Sequence, residues 1–224
     1  MKNSALKVLV LVFVITAIWG CSNTNKPRVE SNQVNSTPVA VTTNNIAVRT
    51  DKIKVKTESG TELFSLKQQA DGAKLVDNKE QEIARIKTDE SGKIKFKNAA
   101  DKTLGYVVTA KGYWKLENPA QNQELYILRR QSNGDYKLED AAKKEIYQIN
   151  SRNNSLEIFT PNNQLVYQVK IKDDKIALKN PSGKIVFYTK SGISPMAFAC
   201  FGFDVLTREQ QAALAYAVNL TGGQ

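Results

Sequence analysis

The chain has 224 residues, with 32 Lys and Arg against 22 Asp and Glu for a formal net charge of +10, two cysteines and no histidine. The missing histidine excludes Ser-His-Asp and Cys-His catalysis, His-ligated zinc and the commonest general base near neutral pH. One sizeable folded domain is the economical count for this length, and the basic excess favours anionic partners.

Residues 1–20 read as an export signal. Lys2 and Lys7 make a basic start, and the stretch from Val8 to Gly20 is uncharged. That stretch is too short to span a bilayer comfortably, which takes roughly 20 apolar residues. A cysteine follows at once, and Ile18-Trp19-Gly20-Cys21 resembles the cleavage site of a bacterial lipoprotein signal peptide, with Trp19 departing from the small or aliphatic residue usual there. The resemblance implies cleavage between Gly20 and Cys21, with Cys21 carrying a thioether-linked diacylglycerol and an amide-linked acyl chain. At about 0.8 kcal/mol per buried CH₂, several chains make release from a membrane slow. The protein would then be lipid-anchored on the exported side of a bacterial cell membrane or outer membrane. Two alternatives stay open: an uncleaved membrane anchor, or an ordinary cleaved signal in which the cysteine is incidental.

Residues 21–50 form the lipidated N-terminus and a tether. From Ser22 to Thr50 just over half of the positions are Ser, Thr, Asn or Gln, the composition of a disordered segment. As a flexible coil it spans roughly 30 Å on average. Without Lys2 and Lys7 the mature chain carries 30 basic and 22 acidic residues, a net charge of +8.

Residues 51–224 form the domain. Through 52–190 one unit, an apolar-x-apolar strand, a polar turn and a second apolar strand, runs seven times. Its second apolar position falls at Val55, Leu75, Phe96, Leu116, Leu138, Ile158 and Leu178, in steps of 20, 21, 20, 22, 20 and 20. Eight or nine places after each anchor an aliphatic residue recurs, at Leu63, Ile83, Leu104, Leu125, Ile146, Val166 and Val186. Each unit therefore reads as a β-hairpin. Strict alternation in Lys52-Ile53-Lys54-Val55-Lys56 and Lys93-Ile94-Lys95-Phe96-Lys97 supports strands. Asp71-Gly72, Ser91-Gly92, Lys111-Gly112 and Asn133-Gly134 between units, with Ser59-Gly60, Asn162-Asn163 and Ser182-Gly183 inside them, supply turns. The return strands show two competing faces, Tyr126/Leu128, Tyr147/Ile149 and Tyr167/Val169 against Leu125, Ile146 and Val166, so their register stays open.

Hairpin spacing ends at Pro195. Thr207-Arg208-Glu209-Gln210 reads as a capping box that opens a helix over about 208–220, ended by Gly222-Gly223. Its body, Ala212 to Val218, has no polar side to offer to water and must be surrounded by protein. A membrane-spanning helix is disfavoured because Arg208, Glu209, Gln210 and Gln211 interrupt the apolar stretch. A slim apolar helix after a run of hairpins fits a mainly β fold: a hairpin-repeat antiparallel β-barrel of about 12 strands, with up to 14 counted, closed around a buried C-terminal helix. Closure also removes exposed strand edges.

Phe201-Gly202-Phe203-Asp204-Val205-Leu206, followed by the Ala-rich helix ending Ala217-Val218-Asn219-Leu220, resembles the closing strand and buried helix of the tubby C-terminal-like superfamily, which includes phospholipid scramblases and the plant LURP-one-related proteins. The superfamily barrel has twelve strands in six hairpins, whereas seven hairpins are counted here. Either the 53–66 unit lies outside the barrel or one hairpin is false. The resemblance implies contact with membrane lipid, but no position matches the superfamily's basic ligand residues or a calcium-binding segment.

No catalytic residue is identified, and no metal or cofactor is expected. The glycines stand singly in turns, without phosphate-loop or dinucleotide spacing. Cys200, in Met196-Ala197-Phe198-Ala199-Cys200-Phe201, reads as a small buried hydrophobe. Tyr113, Trp114, Tyr126, Tyr147 and Tyr167 read as core or cross-strand packing. Nucleic acid is not an expected partner of an exported protein. Outward basic rows are the one surface feature that suggests function: Lys52/Lys54/Lys56, Lys93/Lys95/Lys97 and Lys170/Lys172 would meet anionic lipid. Against that stands the ordinary solubilising role of outward lysines. The expectation is a membrane-anchored, non-enzymatic binding module of the bacterial envelope, for anionic lipid. The alternatives are a protein-interaction or assembly module of the envelope and, third, an enzyme with a pocket in the barrel.

Overall fold

The computed structural model describes residues 52–223. The expected signal peptide, Gly20, Cys21 and the tether lie outside the described residues.

Fourteen strands follow one another: β1 (Lys52–Lys56), β2 (Glu62–Gln69), β3 (Gly72–Asp77), β4 (Glu82–Thr88), β5 (Ile94–Asn98), β6 (Thr103–Ala110), β7 (Tyr113–Glu117), β8 (Glu124–Arg130), β9 (Tyr136–Asp140), β10 (Glu145–Arg152), β11 (Ser155–Phe159), β12 (Leu165–Lys172), β13 (Lys175–Lys179) and β14 (Ile185–Thr189). Each pairs antiparallel with its sequence neighbours and β1 meets β14, which closes the barrel. The first hairpin belongs to the wall, and the strand count settles at fourteen. The alternation works as the pleat requires: Ile53 and Val55, Ile94 and Phe96, and Trp114 and Leu116 are buried, while the residues between them are not. Each such aliphatic or aromatic side chain contributes roughly 1.5–3 kcal/mol of burial.

The return strands carry one extra residue each. Val55 and Lys56 pair with Phe64 and Glu62, passing over Leu63, and the ladder skips Ile83, Leu104, Leu125, Ile146, Val166 and Val186 in the same way. The recurrent aliphatic residue is therefore a β-bulge. This resolves the two competing faces: Tyr126, Tyr147 and Tyr167 stand opposite Leu116, Leu138 and Ile158, while Leu125, Ile146 and Val166 are the half-buried insertions. A bulge bends its strand and raises the local twist, and repeating it once per hairpin curls the sheet towards closure.

The turns inside the hairpins open in one way, and the one at Asn118 is a residue longer than the others, the Asn118 N–H donating to the Gln123 carbonyl. Thr57, Asp77, Asn98, Asn118, Asp140, Thr160 and Asn180 open these turns, and each accepts, on its side-chain oxygen, the backbone N–H four residues later. The residue three places after each opener has positive φ: Gly60, Glu80, Asp101, Gln121, Lys143, Asn163 and Gly183. Gly105 is required for a different reason: it faces Phe96, and a Cβ there would lie 2.8 Å from the ring and 2.5 Å from the Glu117 carbonyl.

After β14 the chain enters the lumen. Ser194 accepts the Ala197 N–H and caps α1 (Pro195–Ala199). A 3₁₀ turn over Cys200–Gly202 follows, then α2 (Arg208–Leu220). The capping box is complete: Thr207 Oγ1 accepts the Gln210 N–H at 3.3 Å and Gln210 Oε1 accepts the Thr207 N–H at 2.9 Å. At the other end Gly222 and Gly223 take positive φ and donate to the Asn219 and Val218 carbonyls, a Schellman closure. The expected closing strand over Phe201–Leu206 is not one. It is a 3₁₀ turn and loop, because β1 and β14 already close the wall and leave no edge to pair.

Residues 211–218 of α2 are buried, and Ala212, Ala213, Leu214, Ala215, Ala217 and Val218 are wholly so. A lumen of fourteen strands is wider than one helix, and α1 with its 3₁₀ turn fills the remainder. Phe198 packs edge-on to Phe187 at 5.4 Å, Phe201 against Phe64 at 5.1 Å, and Phe203 stacks on Tyr147 at 5.7 Å. Cys200 is fully buried and its thiol donates to the Met196 carbonyl, while burial pushes its pKa well up. Polar tips pin the plug at both ends: Tyr167 to Asp204 at 2.9 Å, Tyr136 to the Gly223 carbonyl at 2.7 Å and Trp114 to Thr221 at 3.2 Å. Residues 52–223 thus carry one continuous hydrophobic core within a compact unit, the property that lets a domain fold independently.

Burial, reinforced by the Asp204 carboxylate, pushes the Tyr167 phenol up to about 12. An unfolded tyrosine titrates near 10, so from about pH 10 to 12 the unfolded chain loses a proton that the folded chain keeps. Stability falls as pH rises through that window. Tyr167→Phe is expected to lose less stability than wild type between pH 8 and pH 11 in urea titrations.

Candidate functional site

Charge is unevenly distributed around the wall. The eight consecutive strands from β12 through β14 and β1 to β5, with their turns (165–190 and 52–102), carry 18 Lys and Arg against 11 Asp and Glu, a net charge of +7. The remaining wall, residues 103–164, carries 8 against 7, a net of +1. All eight lysines singled out from the sequence lie on the basic arc. They do not form one cluster: β1 is separated from β12 by two strands and from β5 by three.

Cross-strand register assembles what the linear sequence hides. Lys52, Lys67, Lys74, Arg85 and Lys97 stand directly opposite one another across β1 to β5, a row of five cations. Like charges so placed repel, and carboxylates from the turns and strand ends are threaded between them. Glu80 bridges Lys52 and Lys67, Glu82 bridges Lys74 and Arg85 at 3.3 and 2.9 Å, and Asp101 bridges Arg85 and Lys97 at 3.3 and 3.0 Å. The Glu80 carboxyl is held down to about 2 by Lys52 and Lys67, and Asp101 is lowered chiefly by Lys97. Lys52 and Lys97 are therefore engaged within the wall. Lys93 pairs with Glu117 at 3.5 Å, and Lys54 with Glu62 at 3.6 Å. Lys56, Lys95, Lys170 and Lys172 have no ion-pair partner among the described residues.

Three surface concavities lie on this arc. Arg85, Lys87, Lys95 and Lys97 line one of about 270 Å³ with Asp101 as its single carboxylate. Lys87 faces Lys95 and Arg85 faces Lys97, so it is a square of four cations. Arg85 and Lys87 were missed in the sequence. Their signal is the alternation Arg85-Ile86-Lys87, which gains meaning only when β4 is laid beside β5. A second concavity, of about 150 Å³, lies between β1 and β14 and is lined by Lys54, Lys56, Tyr188, Lys190 and Ser191. Beyond it, towards the start of β1, a larger one of about 630 Å³ is lined by Lys52, Asp173, Asp174, Lys190 and an apolar floor of Ile171, Ile176 and Ile193. The first two concavities offer an anion positive charge and donated N–H groups, whereas the largest balances Lys52 and Lys190 with Asp173 and Asp174.

No protein-family model matches the chain, and no curated protein matches it. Among solved structures the chain is similar to a protein from Arabidopsis thaliana determined by X-ray crystallography, at 11% identity over 62% of this chain and 79% of that one, with a TM-score of 0.37. What the chain is shown to be is a closed fourteen-stranded antiparallel β-barrel with two short C-terminal helices.

Proposed function

We propose that this protein is an exported bacterial envelope lipoprotein, cleaved behind Gly20 and held at a cell membrane or outer membrane by acyl chains on Cys21, whose barrel binds anionic lipid through the outer face of β12–β14 and β1–β5. The observation that carries the reading is the net charge of +7 on one arc against +1 on the other, on a barrel whose lumen is occupied by its own tail. An occupied lumen moves ligand binding to the outside, and a one-sided field suits a charged plane better than a small solute. The membrane anchor rests on residues 1–21. Kinship with the tubby C-terminal-like superfamily is supported by an apolar helix running through a closed meander, and weakened by fourteen strands in place of twelve.

The test is sedimentation of residues 52–224 with phosphatidylglycerol and with phosphatidylcholine vesicles. Binding is expected only to the anionic vesicles, and it disappears towards 1 M salt, where the screening length is about 3 Å. Lys56→Gln, Lys95→Gln and Lys170→Gln together should weaken it by roughly a hundredfold, at about 1 kcal/mol per lysine near the surface. Lys143→Gln with Lys144→Gln, on the other arc, should leave it unchanged. Equal binding to neutral vesicles, or indifference to salt, contradicts the reading.

A further inference from the structure

The fourteen junctions of the barrel are not equivalent. Every neighbouring pair along the chain is joined by four to six opposed residues, whereas β1 and β14 share only one, Lys56 opposite Tyr188. Past that pair the strands diverge, and a side chain takes over the work of a backbone. The Ser191 hydroxyl accepts the Lys54 N–H at 3.2 Å and donates to the Lys52 carbonyl at 3.1 Å. Its own N–H is held by Thr189 Oγ1 at 3.1 Å. A single hydroxyl thus replaces a stretch of ladder, with concavities of about 150 and 630 Å³ adjoining it.

The smaller concavity has a definite chemistry. Lys54 and Lys56 line it from β1 and Lys190 from the end of β14, with no carboxylate among its lining residues. Lys175 already covers the Tyr188 ring at 4.1 Å, which adds positive charge behind the tyrosine. Glu62 at 3.6 Å from Lys54 and Asp174 at 3.3 Å from Lys190 offset part of this charge from outside the concavity. Lys56 has no ion-pair partner among the described residues, so the lips keep a net positive charge that works against a weakly bonded junction. An anion between them reverses the sign of that force and ties the two strands together.

We propose that the β1–β14 junction is a seam that opens without unfolding of the barrel, and that a phosphate-bearing anion seated between Lys54, Lys56 and Lys190 clamps it shut. The ligand half of this inference rests on the anionic-lipid reading above, while the seam half does not. Local opening of this kind is drawn from the part of a fold with the fewest shared hydrogen bonds, and here that part adjoins the strand that residue 51 leads into. A headgroup in the cleft would therefore couple membrane contact to the order of the first strand.

Hydrogen exchange of residues 52–224, read by mass spectrometry strand by strand, tests both halves. In wild type the amides of β1 and β14 should exchange faster than those of β7 and β8. Ser191→Ala should accelerate β1 and β14 by roughly tenfold, the loss expected from two modest hydrogen bonds, and leave β7 and β8 unchanged; Ser191→Thr, which keeps the hydroxyl, should restore much of the protection. Phosphatidylglycerol vesicles should slow β1 and β14 selectively, phosphatidylcholine vesicles should not, and the slowing should be absent in Lys56→Gln with Lys190→Gln. Inorganic phosphate set against chloride at equal ionic strength separates a free anion from a headgroup, and protection by either supports the clamp. Acceleration of every strand together in Ser191→Ala overturns the seam. Sedimentation with anionic vesicles that leaves β1 and β14 exchange unaltered overturns the clamp while the lipid reading stands, and failure to sediment removes the lipid reading while a seam seen by exchange remains.

Discussion

Ala215→Asp is expected to abolish the folded state. Ala215 sits in the middle of α2 with no exposed surface, and a carboxylate there would be surrounded by the apolar core with no partner. Leaving one charge unpaired in an interior costs several kcal/mol, which rivals the whole stability of an ordinary domain at roughly 5–15 kcal/mol. If the helix lay on the outside, the same change would cost only about 0.7 kcal/mol, the difference in helix propensity. Ala215→Gly is the control, expected to lose about 2 kcal/mol, about 1 through helix propensity and about 0.8 through the buried methyl. Near-ultraviolet circular dichroism and urea titration of the two variants separate these outcomes.

The second large effect is expected at Phe198. Its ring is fully buried between Phe187 of β14, at 5.4 Å, and Phe201, at 6.4 Å, so truncation removes apolar contact and leaves a cavity that a closed wall cannot collapse to fill. Phe198→Ala should lose about 3–5 kcal/mol. A double-mutant cycle with Phe187→Leu should show a coupling of about 0.5–1.5 kcal/mol, the usual worth of an aromatic pair beyond its burial. Chemical denaturation of the four chains measures both, and a coupling of zero would mean that the plug and β14 do not touch.

The parts of this fold that were legible in the sequence are those in which local chemistry and global structure agree. Outgoing strands such as Lys52-Ile53-Lys54-Val55-Lys56 and Lys93-Ile94-Lys95-Phe96-Lys97 alternate residue by residue, and the α2 capping box is written in four consecutive residues, so both were readable directly. The return strands were not, because an inserted residue shifts the pleat by one and places Leu125 next to Tyr126 with no local sign of which faces inward. That ambiguity was itself the signal of a bulge. Turn chemistry was only partly visible for a similar reason. The positive-φ position carries glycine at residues 60 and 183 and asparagine at 163, yet Glu80, Asp101, Gln121 and Lys143 hold the same conformation, supported by the Asx or Thr residue that opens each turn. The segment over Phe201–Leu206 misled because an apolar run following hairpins looks like one more strand, and only the closure of β1 on β14 shows that no place remains for it.

The candidate surface divides along the same line. Lysine rows within one strand could be read, whereas the five-cation row, the square at Arg85, Lys87, Lys95 and Lys97, and the neutralisation of Lys52 by Glu80 all depend on which strand lies beside which. A spacing that recurs once per hairpin and drifts from unit to unit is too coarse to fix cross-strand partners to a single position.

The central claim is that the C-terminal segment fills a closed barrel. In residues 52–224 the one cysteine is Cys200, which lies at the 3₁₀ turn of that segment with no exposed surface. Labelling of residues 52–224 with a small thiol reagent under native conditions reads its burial directly. The expected result is no modification faster than global unfolding and complete modification in denaturant. Modification of the native protein at the rate of a free exposed thiol would contradict it.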